Sequence, residues 1–184
     1  MSRSIYLGSW RIELTIRDGV AAPVSAAALA RGMVRAAEAA RAASPASIGL
    51  ILSDDAELAS LNSVHLGKAG PTDVLSFPLL PPEAFPAHDG RPARPARPAY
   101  SPGAFPLPPG RRPHLGDVVI SVERAIAQAV YGRGGQTGDV RWAPSDELRL
   151  LAIHGTLHLC GWDHADPAEE AAMRRLEERL LLQR

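Results

Sequence analysis

Apolar and polar positions alternate through "SIYLGSWRIELTI", residues 4–16, in the two-residue rhythm of a half-buried strand that closes at Asp18-Gly19. One or two strands are predicted there. Residues 25–43 are Ala-rich, with Leu29, Met33 and Val34 on a modest stripe, and predict a helix stopped before Pro45. "SIGLILS" (47–53) predicts a compact strand. Asp54 and Glu57 have the spacing of a capping box and open a predicted helix over about 55–64. "TDVLSFP" (72–78) and "GDVVIS" (116–121) read as two more strands, and Ser121 suits the N-cap of a helix over 122–131.

The segment from about 145 to 159 is apolar nearly all round (Leu148, Leu150, Leu151, Ala152, Ile153, Leu157, Leu159), the pattern of a buried helix, with Ser145 as its predicted N-cap. A last helix opens at "DPAE", with Asp166 as N-cap, Pro167 in the first turn and Glu169 three residues on. It carries an apolar stripe of Met173, Leu176, Leu180 and Leu181 beside a solvated face where Glu170 pairs with Arg174. Interspersed strands and helices give an α/β or α+β fold, one domain over 1–184, with a small mixed sheet packed by about five helices.

Composition changes this picture at one place. From about 81 to 113 Pro, Ala, Arg and Gly dominate, including "RPARPARPA", so no helix or inner strand fits and a long loop insertion is expected. Between His88 and His114 it holds Arg91, Arg94, Arg97, Arg111 and Arg112 against Asp89, a cationic arm or an inert insertion. A second loop, "GRGGQTGD", precedes Pro144. Over the whole chain charge is balanced, 20 Lys plus Arg against 20 Asp plus Glu, so no global positive field advertises nucleic acid. Any such binding would need a local patch, and no DNA partner is expected. The single cysteine, Cys160, excludes an internal disulfide. With no apolar run long enough to span a bilayer and no apolar signal segment at the start, a cytoplasmic location without membrane contact is expected.

Candidate chemistry concentrates in "HGTLHLCGWDH", which holds three of the six histidines. His154 and His158 are four apart on the buried helix, roughly 40° apart in rotation and one turn apart along the axis. Gly161 stands where the helix should end, and a left-handed glycine there would return His164 to the same point. Three neutral imidazoles leave zinc an open fourth position, the arrangement of a catalytic site at the end of a buried helix. The same skeleton occurs in metzincin peptidases, which place Glu after the first His as general base. Here that position is Gly155, which counts against a zinc peptidase and leaves room for substrate or for close backbone packing.

With "LN" at 61–62, "PTDVLSFPL" at 71–79, "LGDVVIS" at 115–121 and the histidine motif in that order, the sequence resembles the YbeY family of bacterial endoribonucleases. The resemblance covers most of the chain from about residue 47. It implies one zinc ion held by His154, His158 and His164, cleavage of single-stranded RNA, and partnership with rRNA and the small ribosomal subunit. Maturation of the 16S rRNA 3′ end and ribosome quality control are the implied roles. Three features depart from the family pattern. After Leu-Asn the family carries an aromatic residue and an Arg thought to contact RNA phosphate; here His65 and Leu66 stand there, with Lys68 the nearest cation. Lysine lacks the bidentate fork of arginine and is a weaker replacement. A His that often precedes the first ligand by four residues is Leu150, and the Pro/Arg-rich loop is far longer than a simple link. The missing Arg keeps open a ribosome-assembly factor that cuts weakly or not at all.

Around the histidines, Asp163 is a candidate to orient a ligand or act on the attacking group, or else a turn residue bonding its own backbone. Asp73 and Asp117 read as polar strand ends, and Ser76 as a residue lining a groove at an edge strand. Cys160, roughly 240° round the helix from His154, reads as a small buried hydrophobe, Trp162 as a wedge packing the turn, and His88 and His114 as solvated.

Overall fold

The two N-terminal apolar runs form a hairpin, β1 (Ser2–Leu7) and β2 (Trp10–Ile16), antiparallel with Ile5 opposite Ile12. The computed structural model describes residues 1–88, 112–133 and 141–183. From β2 the chain crosses through helix α1 (Ala26–Ala39) to β3 (Ala46–Ser53), which pairs parallel to β2 with Trp10 opposite Ala46. Ser25 caps α1 by accepting from the Ala28 N–H at 3.2 Å. The helix stops earlier than expected because Arg41 turns left-handed at φ 56°. Helix α2 (Asp55–Leu66) follows, capped by Asp54, which accepts from the Glu57 N–H at 2.8 Å. The Glu57 carboxylate does not close the box: it turns to the Arg17 guanidinium, at 2.8 Å from Nε, which holds its pKa below the usual carboxylate range.

Strand β4 (Val74–Pro78) and strand β5 (His114–Ser121) pair antiparallel, and β5 pairs parallel with β3, giving the order β1-β2-β3-β5-β4. Among the described residues this is the expected mixed sheet with five α-helices. Ser121 ends β5 and caps α3 (Val122–Ala129), accepting from the Arg124 N–H at 3.1 Å. Between the strands the described residues include a 3-10 turn at Pro82–Ala84; most of the predicted Pro/Arg-rich insertion (89–111) and of "GRGGQTGD" (134–140) lies outside the described residues.

One face of the sheet carries the main core. Trp10, Ile12, Leu14, Ile48, Leu50, Leu52, Val118 and Ile120 meet α1 and α4 (Pro144–Leu159) there, and α5 (Pro167–Leu182) packs against those two helices. On the other face Leu58 of α2 closes over Leu75 and Val119. Helix α4 is buried almost all round, as its composition requires: Leu148, Ile153 and Leu157 are fully enclosed. Each such side chain stabilises the fold by about 1.5–3 kcal/mol. Its start differs from the expected one. Ala143 takes the N-cap position, Pro144 the first turn, and Asp146 accepts from the Ala143 N–H at 3.2 Å. Proline fits that first position better than the interior, because its fixed φ is helical and it has no N–H to leave unpaired. At the other end, Asp166 caps α5 by accepting from the Ala168 N–H at 2.8 Å.

Candidate metal centre

Helix α4 ends in a hydrogen-bonded reversal. The Gly161 N–H donates to the His158 carbonyl at 3.0 Å and the Trp162 N–H to the Leu157 carbonyl at 3.1 Å. These are the two bonds of a Schellman motif, which requires its middle residue to be left-handed. Gly161 has φ 82°, a conformation costly for a side chain bearing Cβ. The reversal carries His164 back over the helix end. Its ring centroid lies 5.7 Å from that of His154 and 5.0 Å from that of His158, and the donor atoms of all three imidazoles fall within 4.8 Å of one another.

Hydrogen bonds fix the tautomers. His158 Nδ1 faces the Trp162 carbonyl at 2.9 Å, an acceptor only, so Nδ1 carries the proton. His154 Nδ1 lies 2.7 Å from the Glu177 carboxylate and donates to it in the same way. With both rings neutral, each Nε2 presents a lone pair, and the two face each other at 3.0 Å. Two lone pairs so close repel unless a cation lies between them, so this donor set fits a metal ion bound by neutral imidazoles. Burial, together with the neighbouring imidazoles of His154 and His164, pushes the His158 pKa down to about 4, which keeps it neutral, the form able to ligate a metal, at ordinary pH.

Glu177 is the residue the sequence reading missed. Its side chain is 6% exposed and is held by the Arg133 guanidinium at 3.2 Å. A signal for it existed: Glu177 stands four residues after Met173 and one after Leu176, on the stripe of α5 that the helical period assigns to the core. A buried acid there must serve a partner. The partner is a histidine on another helix, which no local pattern reveals.

Gly155 decides between the two readings open to it. A Cβ there would stand 2.5 Å from Val118 Cγ1 and 3.1 Å from Ser76 Oγ, so the glycine serves close packing of α4 on β5 and the edge strand β4. Ser76 also donates to the Gly155 carbonyl at 3.1 Å, tying the helix to that edge. This position faces the sheet, where a peptidase's glutamate would have no room. Gly155→Ala should therefore lower stability by about 1–3 kcal/mol, the usual range for overpacking a closed core. Urea unfolding with chelator present measures it, and a loss below about 0.5 kcal/mol would mean that Val118 yields freely.

The histidines open onto a cleft of about 1150 Å³ between the end of α4, strand β4 and the end of α2. Its walls include His65 and Leu66, along with Ser76, as the sequence suggested for a groove beside an edge strand. Asp73, Asp163, Asp166 and Glu169 also line it, while no lysine or arginine does among the described residues. Asp163 uses Oδ1 to accept from the His164 N–H at 2.8 Å and gives its own N–H to Glu169 at 2.9 Å, so it shapes the turn carrying the third histidine. Lys68 is exposed beyond the left-handed cap Gly67 and is not among the residues lining the cleft. Asp73 accepts from the Val74 N–H at 2.9 Å at the start of β4, as a strand end would. Asp117, by contrast, is no strand end: it sits inside β5, paired with Gly49 on one side and Phe77 on the other, with Oδ1 3.1 Å from His114 Nε2. Cys160 is enclosed, and burial pushes its thiol up to about 12.

Two expectations need correction. His88 is not solvated: its ring stacks on Trp162 with centroids 3.8 Å apart and planes 9° from parallel. Its side chain is 9% exposed because the flat indole offers apolar contact to a flat partner. His114 is only half solvated, with Nδ1 2.9 Å from Ser47 Oγ, and its pKa is raised by the hydrogen bond to Asp117.

The family model described as Endoribonuclease YbeY matches residues 17–184. A protein named Endoribonuclease YbeY from Roseiflexus sp. (strain RS-1) is 34% identical over 172 residues, 92% of this chain and 90% of its own. Another of that name from Desulfitobacterium hafniense (strain Y51) is 36% identical over 156 residues, 84% of this chain and 82% of its own. The solution structure of a Thermotoga maritima protein aligns with a TM-score of 0.44 at 18% identity, covering 91% of this chain and 88% of that one.

Proposed function

The chain belongs to the YbeY family of endoribonucleases, and on that premise we propose that it is a zinc-dependent nuclease for single-stranded RNA. Its proposed setting is the cytoplasm, its partners rRNA and the small ribosomal subunit, and its roles maturation of the 16S rRNA 3′ end and ribosome quality control. That it acts on RNA follows from the family; the metal, the strand preference and the ribosomal setting are our reading. The observation that carries the metal reading is the pair of facing Nε2 lone pairs at 3.0 Å, with His164 closing the third side.

His154, His158 and His164 would hold the ion. When bound there, zinc supplies Lewis acidity, lowering the pKa of water and withdrawing charge from a phosphoryl oxygen. The rest falls to the protein. Glu177 fixes the tautomer and angle of His154, and the Trp162 carbonyl does the same for His158. Asp163 holds the turn that presents His164. The cleft floor, with its four carboxylates, repels phosphate except at the histidine cluster, so a bound cation would set where the backbone can settle. No helix among the described residues is long and apolar enough to cross a membrane.

Leu66 favours a second reading, an assembly factor that keeps the metal fold and cuts weakly. It lines the cleft where the family pattern places its arginine. Incubation with single-stranded RNA, with and without chelator, tests both. Cleavage lost to chelator and restored by zinc supports the enzyme. RNA binding without metal-dependent cleavage supports the assembly factor, and neither binding nor cleavage would sink both.

A further inference from the structure

A second cavity, of about 570 Å³, shares Trp162 with the metal cleft. Arg41, Arg175, Arg179 and the stacked His88 line it, and no carboxylate does among the described residues. Among the described residues, a chain with no net charge has thus sorted its charges around Trp162, with carboxylates lining one cavity and arginines the other. Arg175 and Arg179 are four apart on α5, one turn above the other on an exposed face.

Arg41 is the informative residue. It occupies the left-handed position of a second Schellman motif, with its N–H donating to the Glu38 carbonyl and that of Ala42 to the Ala37 carbonyl, both at 2.9 Å. Glycine or asparagine suits that position and arginine does not. A local preference overridden at a cavity wall points to use of the side chain. The Arg41 guanidinium lines the cavity and donates to the Ala87 carbonyl at 2.6 Å.

We infer that this cavity is a phosphate-binding subsite for single-stranded RNA running out of the metal cleft past Trp162. It rests on the RNA reading above and deepens it. The metal cleft offers an RNA strand no arginine or lysine among its described walls, while the neighbouring cavity, which shares Trp162 with it, is lined by three arginines. Guanidinium groups suit phosphodiester oxygens, and a cationic groove that tracks the backbone holds single strands without sequence preference. Trp162, 7% exposed with His88 stacked on it, forms the wall and not a platform for bases.

The test is binding of a labelled single-stranded RNA of about 12 nucleotides, followed by fluorescence anisotropy at several salt concentrations. Arg175→Gln/Arg179→Gln should weaken binding about tenfold and flatten the plot of log affinity against log salt by about one unit. Arg3→Gln/Arg31→Gln removes the same charge from exposed positions that do not line the cavity and should change affinity far less. Arg41→Gly gives a signature that mere destabilisation cannot: melting temperature should rise as the left-handed strain is relieved, while RNA affinity falls. If the cavity variants match the Arg3/Arg31 control, or Arg41→Gly leaves affinity intact, the subsite is refuted while RNA cleavage by the unaltered protein stands. If the unaltered protein neither binds nor cuts RNA, the functional reading fails along with it.

Discussion

His158→Ala is expected to strip the protein of bound metal and, with it, of RNA cleavage. His158 is the middle ligand of the proposed set: its Nε2 faces His154, and its ring lies within 5.0 Å of both other imidazoles. Two histidines that remain on opposite sides of an empty position no longer surround an ion, and structural or catalytic zinc needs three protein ligands at least. Metal content of protein purified without chelator should fall from about one equivalent to below about a tenth. The half-buried ring also bonds the Trp162 carbonyl, so its loss could loosen the turn. His164→Ala separates the two effects, because His164 is exposed and its removal empties no core. It should leave the circular dichroism spectrum unchanged while costing most of the metal. Less than about half an equivalent of any transition metal in the unaltered protein would end the zinc proposal.

The other large effect is a gain. Leu66 is the last residue of α2, 55% exposed, on the wall of the metal cleft. Leu66→Arg costs the fold little, since a cation near a helix C-terminus is favourable. Aimed at a phosphoryl group in a partly shielded cleft, a guanidinium contributes a few kcal/mol to the transition state. That corresponds to cleavage faster by about two orders of magnitude, with zinc content unchanged. Lys68→Ala should slow cleavage only if Lys68 reaches in from beyond Gly67 to replace the arginine. If neither variant moves the rate, the phosphate-binding cation lies elsewhere. Arg149 is then a poor substitute, because it donates to the Leu181 carbonyl at 3.1 Å and lies 3.6 Å from Asp146, away from the cleft.

Much of this protein was determined by sequence alone, and the legible parts share a physical cause. The spacing of His154 and His158 is helical geometry, and Gly161 marks a helix end whose left-handed φ favours glycine. Caps at Asp54, Ser121 and Asp166 are local side-chain to backbone bonds, so they too could be read from a few neighbouring residues. Even Ser145, displaced from the cap by Pro144, failed only by a competition between adjacent residues. What tertiary structure decided are the meetings of residues far apart in sequence. Glu177 reaches His154 across 23 positions, His88 stacks on Trp162, and Arg41 joins Arg175 and Arg179 around one cavity. Gly155 was ambiguous until Val118 proved to stand against it. Local bonds depend on backbone geometry that a short stretch fixes for itself. These distant contacts depend on how α1 and α4 pack on the sheet and α5 on those helices, and that packing is set by the whole core at once.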